Sequence, residues 1–282
     1  MKILTDIDSL SQILFKYRGS KINIGFVPTM GAIHEGHLSL IKLAQRECDL
    51  VICIIFINPT QFNDSNDLKK YPITTKNDIN LLKKQSCDIL FMPSINEIYP
   101  KGLATNTYQL GGIDKILEGK KRPGHFDGVC TVIHRLFSII KPKIAYFGEK
   151  DFQQVAIIKQ MVNNHSLPVQ IKTGKTIREK DGLAKSSRNT LLNTTQRKKA
   201  AYVYASLQKI KSLFGKLDCA ELKKIIKNDI KQIEDMRLDY LDIVNPHSFK
   251  PLQDNANEEK AVAVIAVFLN EIRLIDNLSL ND

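Results

Sequence analysis

Tryptophan is absent from this chain of 282 residues, and phenylalanine and tyrosine together make up only 7% of it. Proteins that grip single-stranded nucleic acid interleave aromatic side chains with a basic stripe. Here the lysines of the C-terminal third, Lys223, Lys224, Lys227 and Lys231, have no aromatics among them. An RNA-binding or aminoacylating module is therefore the weaker account of the net charge of +11, and no nucleic-acid partner is expected. An anionic small substrate such as a nucleotide, or a solvated lysine-rich surface, accounts for it better. Cysteine is sparse: Cys48, Cys53, Cys87, Cys130 and Cys219 are odd in number, form no C-x-x-C, and mostly lie in apolar surroundings. That pattern reads as reduced core thiols, not as a disulfide or zinc framework. No apolar run approaches the ~20 residues a membrane helix needs. The first residues, Met1 to Asp8, carry early acids and no apolar h-region, so a cytoplasmic location is expected.

Three motif classes are also missing. No G-x-G-x-x-G follows the first strand, which argues against a nicotinamide cofactor. Gly174-Lys-Thr176 looks like the end of a P-loop, but Val169 stands where that loop needs glycine. No serine occupies a G-x-S-x-G nucleophile elbow. His34 and His37 fall on one helix face, yet spacing places no third ligand for a metal beside them, so no protein metal site is expected.

What is present is an alternation of strands and helices. Apolar runs predict strands at 21–27, 49–57, 87–92, 144–147 and 169–173. Between them, helical spacing predicts helices over 6–18, after His34, over 78–84 and 129–140, and from about 151 through 161. This is the pattern of βαβ units in a Rossmann-like, doubly wound parallel sheet, an α/β fold. From about residue 177 the texture changes to lysine-rich helices over 195–214 and 220–236 and two closing strands over 239–244 and 261–269, followed by Arg273-Leu-Ile-Asp-Asn277. The predicted organisation is thus a nucleotide-binding domain over 1–176 and a smaller α+β domain over 177–282.

Ligands of such sheets sit beyond the carboxyl ends of the strands, and there the polar candidates gather. The stretch Gly25 to Ala44 passes from an apolar run through a glycine-punctuated turn into a helix. His34 and His37 stand at the helix start, where unpaired N–H groups and a partial positive charge suit phosphates. Lys150 follows the fourth strand as a mobile point charge able to track a phosphate, the competing reading being a surface lysine paired with Glu149 or Asp151. Ser186, Ser187 and Arg188 put two hydroxyls and a guanidinium in one loop, a phosphate clamp or a solvated turn. Asn58, Gln61 and Gln154 are neutral polar groups beside strands, suited to hydroxyls and a carboxylate of a small substrate, or to loop bonding.

These residues carry a resemblance. His34-Glu-Gly-His37 and Lys185-Ser-Ser-Arg188 resemble the two signatures of the class I adenylyl-transferring superfamily. The finer likeness rests on six stretches that run in order along nearly the whole chain. They are Pro28-Thr-Met-Gly-Ala-Ile-His-Glu-Gly-His-Leu38, Asn58-Pro-Thr-Gln-Phe62, Arg122-Pro-Gly-His-Phe126, Phe147-Gly-Glu-Lys-Asp-Phe-Gln-Gln154, Asp181-Gly-Leu-Ala-Lys-Ser-Ser-Arg-Asn189 and Arg273-Leu-Ile-Asp-Asn277. They resemble the pantothenate synthetase (pantoate–β-alanine ligase) family.

The resemblance implies a ligase that makes pantoyl adenylate from ATP and pantoate and passes the pantoyl group to β-alanine. It implies that His34, His37, Lys150, Ser186, Ser187 and Arg188 hold the triphosphate, with His37, His34, Lys150 and Arg188 catalytic. Met30 and Gly31 would line the nucleotide and pantoate pockets. Gly148 and Asp151 would lie at the ribose, with Glu149 also in the ATP site, and the backbone of Ile177 at the adenine. Gln61, Gln154 and Asn58 would bind pantoate and β-alanine. Mg2+ would arrive with ATP, and the protein would be a homodimer. Lys185 departs from the family's usual small or apolar residue, so it either faces phosphate or points outward. Asn77-Asp78 stands where relatives often carry an acidic pair. Phe268-Leu-Asn-Glu-Ile-Arg273 lacks the usual glycine-containing turn.

Overall fold

The structure is a computed structural model and describes residues 1–17, 21–252 and 260–281. Position 18, the expected end of the first helix, lies outside the described residues. The chain divides into two compact units, Met1–Lys175 and Thr176–Asp282.

The first unit runs β1 (Lys2–Leu4), α1 (Ile7–Phe15), β2 (Ile24–Thr29), α2 (Glu35–Glu47), β3 (Leu50–Ile55), α3 (Ser65–Lys70), α4 (Thr75–Lys84), β4 (Ile89–Phe91), α5 (Ile95–Ile98), α6 (Leu117–Lys121), α7 (His125–Ile140), β5 (Ile144–Gly148), α8 (Phe152–Asn164) and β6 (Gln170–Gly174). The six strands form one sheet in the order β1-β4-β3-β2-β5-β6, and every pairing in it is parallel. Successive residues of β3 serve opposite faces. Ile52 and Ile54 join a core with α1, α7 and α8, whereas Val51 and Cys53 join one with α2 and α4. Covering on both faces is why this strand reads as an unbroken apolar run.

Two differences from the sequence expectation have simple causes. The edge strand β1 has only three residues, too few to show a period. The helix expected over 129–140 starts earlier: α7 begins at His125, four residues before Val129, with Gly124 turning the chain at φ 80°.

The second unit contains α9 (Thr194–Ala200), α10 (Tyr202–Leu213), α11 (Cys219–Lys231), β7 (Met236–Val244), β8 (Val262–Leu269) and β9 (Ile272–Ser279). The helix expected over 195–214 is two helices that part at Ala201. The strands form an antiparallel sheet in the order β7-β8-β9. Ala263, Ile265, Val267 and Leu269 of β8 pack with Val203, Leu207 and Ile210 of α10 and with Leu222, Ile226 and Ile230 of α11. The tight β8–β9 turn has no glycine; Asn270 supplies the left-handed residue at φ 52°, a conformation asparagine tolerates. Cys53, Cys87, Cys130 and Cys219 are buried, and all five cysteines are free thiols. Burial pushes the thiol of Cys87 up to about 11 and that of Cys130 up to about 12, which keeps them unreactive.

Candidate active site

Strand order reverses between β2 and β5, and there the ladder is short. It joins only Gly25 to Ile144 and Phe26 to Ala145, while β2 stays paired with β3 through Thr29. Pro28 has no N–H to offer a neighbour, so β2 leaves β5 early. The chain then turns sharply. Gly31 has φ 85° and Ala32 φ 47°, the latter a strained value for a residue with a Cβ.

A buried carboxylate holds this turn. Asp78 of α4, 1% exposed, accepts the N–H groups of Ala32 (2.9 Å) and Ile33 (2.8 Å) and the Thr74 hydroxyl (2.8 Å). Thr29 Oγ1 donates to the Ile54 carbonyl at 2.6 Å and accepts the Gly31 N–H at 3.2 Å. The carboxylate at position 78 is thus occupied with backbone, and Asn77 beside it is exposed.

His34 follows directly as the N-cap of α2. Its Nδ1 accepts the Gly36 N–H at 3.1 Å, and His37 Nδ1 accepts the His34 N–H at 3.4 Å. An imidazole nitrogen that accepts from a backbone donor carries no proton, so each ring, in its neutral form, bears its proton on Nε2. The rings lie 4.1 Å apart, tilted by 31°. Burial, the neighbouring His34 and the Lys150 charge push His37 down to about 3, against an opposing pull from Asp151. At neutral pH His37 therefore presents an uncharged Nε2–H donor beside a lysine.

Lys150 lies in the 3-10 turn Glu149–Asp151 between β5 and α8, with its side chain 18% exposed and its Nζ 3.4 Å from Asp151 Oδ1. Glu149 turns to β6, where it accepts the Thr173 hydroxyl. Gly148 has open space where a Cβ would stand.

Gln61 ends the 3-10 turn Pro59–Gln61 that follows β3. Its Nε2 donates to Met30 Sδ at 2.9 Å, and its Oε1 accepts from Asn58 Nδ2 at 3.1 Å. Asn58, 1% exposed, also donates to the Gly128 carbonyl and accepts from the Thr60 and Tyr99 hydroxyls. The polar atoms of Asn58 are engaged in supporting Gln61 from behind. Arg122 and His125, from the Arg-Pro-Gly-His-Phe stretch, both bond the Gln61 carbonyl. Gly128 lets α7 approach, since a Cβ there would overlap the Thr60 carbonyl.

Of the adjacent glutamines on α8, Gln153 is buried and bonded to Ile113, Ile116 and Glu118. Gln154 is half-buried, and its amide makes no hydrogen bond to the described residues.

In the second unit, Ile177 to Asn189 forms a compact hairpin-like loop closed by an Arg178–Ala184 bridge. Lys185 donates its N–H to the Ile177 carbonyl, and its Nζ lies 3.1 Å from Glu179 Oε1. The Lys185 side chain, 17% exposed, is held in this loop by that ion pair. Ser186 caps the 3-10 turn Ser187–Leu191, its Oγ accepting the Arg188 N–H at 3.3 Å. Ser187 is buried and Arg188 half-buried. The roles of Asp78, Arg178 and Gly128 escape sequence reasoning, because each rests on a partner distant in the chain.

Comparison with known proteins gives a consistent result. The family model described as pantoate-beta-alanine ligase matches residues 2–279. A pantothenate synthetase of Thermosipho melanesiensis is 42% identical over 99% of both chains. One from Azobacteroides pseudotrichonymphae is 44% identical over 99% of this chain and 100% of that one. The crystal structure of pantothenate synthetase from Thermus thermophilus superposes with a TM-score of 0.93 at 38% identity, covering 100% of both chains. The Francisella tularensis pantoate-beta-alanine ligase, described as complexed with beta-gamma ATP and beta-alanine, gives 0.82 at 39% identity, over 99% of this chain and 98% of that one.

Proposed function

The chain belongs to the pantoate–β-alanine ligase family, and on that premise we propose how its own residues join pantoate to β-alanine. A carboxylate oxygen of pantoate attacks the α-phosphorus of ATP. A P–O bond forms, the bond to the bridging oxygen breaks, and pyrophosphate leaves. The β-alanine amine then attacks the acyl carbon of pantoyl adenylate and loses a proton, and AMP departs with the C–O electron pair. Neither step needs a protein nucleophile; both need charge stabilised where it develops.

The observation that carries this reading is the histidine pair at the start of α2. With both Nδ1 atoms engaged by backbone N–H groups, the Nε2–H donors are pre-oriented toward phosphoryl oxygens at the amino end of α2. Lys150 follows the charge as it moves onto pyrophosphate, and in the second unit Ser186, Ser187 and Arg188 bind phosphate oxygens. Lys185 stands by the same loop, held by Glu179. Met30 and Gly31 line the nucleotide and pantoate pockets. Gly148 and Asp151 lie at the ribose with Glu149 behind them, and the backbone of Ile177 lies at the adenine. Gln61 and Gln154 hold pantoate, Gln61 also meets β-alanine, and Asn58 sets the Gln61 amide.

ATP is used as its magnesium complex. Both oxygens of Asp78 already accept N–H donors and Asp151 faces Lys150, a donor set that fits a metal carried by substrate oxygens and water. A homodimer in the cytoplasm completes the proposal.

The deciding assay incubates the pure protein with ATP, magnesium and pantoate, with and without β-alanine, and follows AMP and pantothenate. Release of AMP that depends on β-alanine is expected, and its absence sinks the reading. In the same assay Lys150→Ala and His37→Ala slow adenylate formation by about 10²-fold or more with the fold intact.

A further inference from the structure

Arg273-Leu-Ile-Asp-Asn277 is among the stretches that carry the family likeness, yet it has no part in the chemistry described above. We propose that its Asp276 forms, with Arg178, a positioning pair that holds Ser186, Ser187 and Arg188 in the geometry that receives the phosphates of ATP. The inference rests on the phosphate role assigned to that loop.

The pair is a two-pronged one. Arg178 Nη1 meets Asp276 Oδ2 at 2.6 Å, and Nη2 meets Oδ1 at 3.1 Å. The guanidinium spends two further N–H groups on the carbonyls of Gly182 (3.0 Å) and Asn277 (3.2 Å). Its flat face lies 4.0 Å from the ring centre of Tyr204. Asp276 is only 4% exposed. With its donors turned onto the loop and β9, Arg178 is built to hold protein and not substrate.

From Asp276 a continuous set of bonds runs to the phosphate residues. Arg178 fixes the Gly182 carbonyl at the loop tip, where φ is 88° and a Cβ would collide with Tyr204. The tip is closed by Gly182 N–H to the Glu179 carbonyl and Glu179 N–H to the Leu183 carbonyl. Leu183 and Ala184 are buried. Lys185 N–H bonds the Ile177 carbonyl, and Asn189 Nδ2 donates to the Ala184 carbonyl. The Ser186 cap on Arg188 N–H follows.

A buried ion pair is a poor way to add stability, since apolar side chains of similar size serve as well. What the planar fork adds is direction, which neither lysine nor an apolar residue reproduces. A loop ordered beforehand binds phosphate without a further entropy cost on each turnover.

The test uses the full chain and pantoate-dependent ATP–pyrophosphate exchange, with β-alanine kinetics from the complete reaction. Arg178→Lys keeps the charge and loses the fork. The double variant Arg178→Met/Asp276→Leu leaves no lone buried charge and serves where the single change does not fold. Arg188→Ala tests the loop's phosphate role directly. For each, circular dichroism and the melting midpoint report the fold. We expect the folded Arg178 variants to raise the KM for ATP by about tenfold or more, with the KM for β-alanine unchanged. If Arg188→Ala raises the KM for ATP while a folded Arg178 variant leaves it at the wild-type value, the positioning role is overturned. If Arg188→Ala itself leaves that KM unchanged, the phosphate reading of the loop falls, and the role of the pair falls with it.

Discussion

His37 ties the folding equilibrium to the same property that suits it to phosphate. In the folded chain it stays neutral down to about pH 3 because burial, the neighbouring His34 and the Lys150 charge oppose protonation. In the unfolded chain it takes up a proton near pH 6.5. Between those values the unfolded state binds the extra proton, so stability falls as pH drops through 6.5 toward 3. By pH 5 the loss comes to about 2 kcal/mol. Urea unfolding at pH 7 and pH 5 checks this, with His37→Asn expected to lose less stability between the two; equal losses would contradict it. Asp78 answers to a different measurement. Asp78→Asn turns an amide toward two backbone N–H donors, at a cost of about 2–4 kcal/mol. It should also slow pyrophosphate exchange by about tenfold, as the turn before His34 loosens; a folded variant with wild-type exchange would remove Asp78 from the site's support. The histidines are legible in the sequence because helix-start chemistry is local. Asp78 is not, since its contacts to Ala32 and Ile33 span 46 and 45 residues.

Elements are legible where their period is strong and their length ordinary. β3 and the apolar part of α7 can be read from side-chain spacing, whereas β1 takes its strand identity only from pairing with β4. Adjacent glutamines defeat the same reasoning. Gln153 and Gln154 have one chemistry, and only the packing of α8 decides that Gln153 turns to the backbone at 113–118. Glycine is informative at this scale when it marks two backbones in contact. The Thr60 carbonyl occupies the place of a Cβ on Gly128, and Gln61 N would lie 2.8 Å from it. Gly128→Ala must therefore move either α7 or the turn that carries Gln61. We expect a loss of about 1–3 kcal/mol, with the KM for pantoate raised several-fold and the KM for ATP little changed. Thermal melting and steady-state kinetics report the two effects separately. A rise confined to ATP would mean that Gln61 serves the nucleotide instead.

At the scale of the whole molecule, the charge of +11 is the property that composition states most directly and explains least. Some lysines of the second unit sit in ion pairs, as Lys199 does with Glu234 and Asp235, Lys209 with Asp229 and Lys223 with Asp242. Exposed pairs of this kind contribute little to stability. The excess that remains sets a positive field, which concentrates anions near the surface and weakens as salt rises. Sequence alone does not say whether that field serves RNA or a small anion, because both are drawn by the same charge. The substrates of this reaction separate the possibilities. ATP and pantoate are anions, whereas β-alanine is a zwitterion without net charge. Raising ionic strength from about 0.05 to about 0.3 M shortens the screening length by roughly half, so kcat/KM for ATP should fall several-fold. The value for β-alanine, measured at saturating ATP and pantoate, should hold nearly constant. Equal losses for both would point to a salt-sensitive fold and not to steering. Constancy for both would return the lysines to the role of a solvated surface. Binding of RNA that survives physiological salt would instead point to a polyanion partner, since purely electrostatic association weakens steeply with salt.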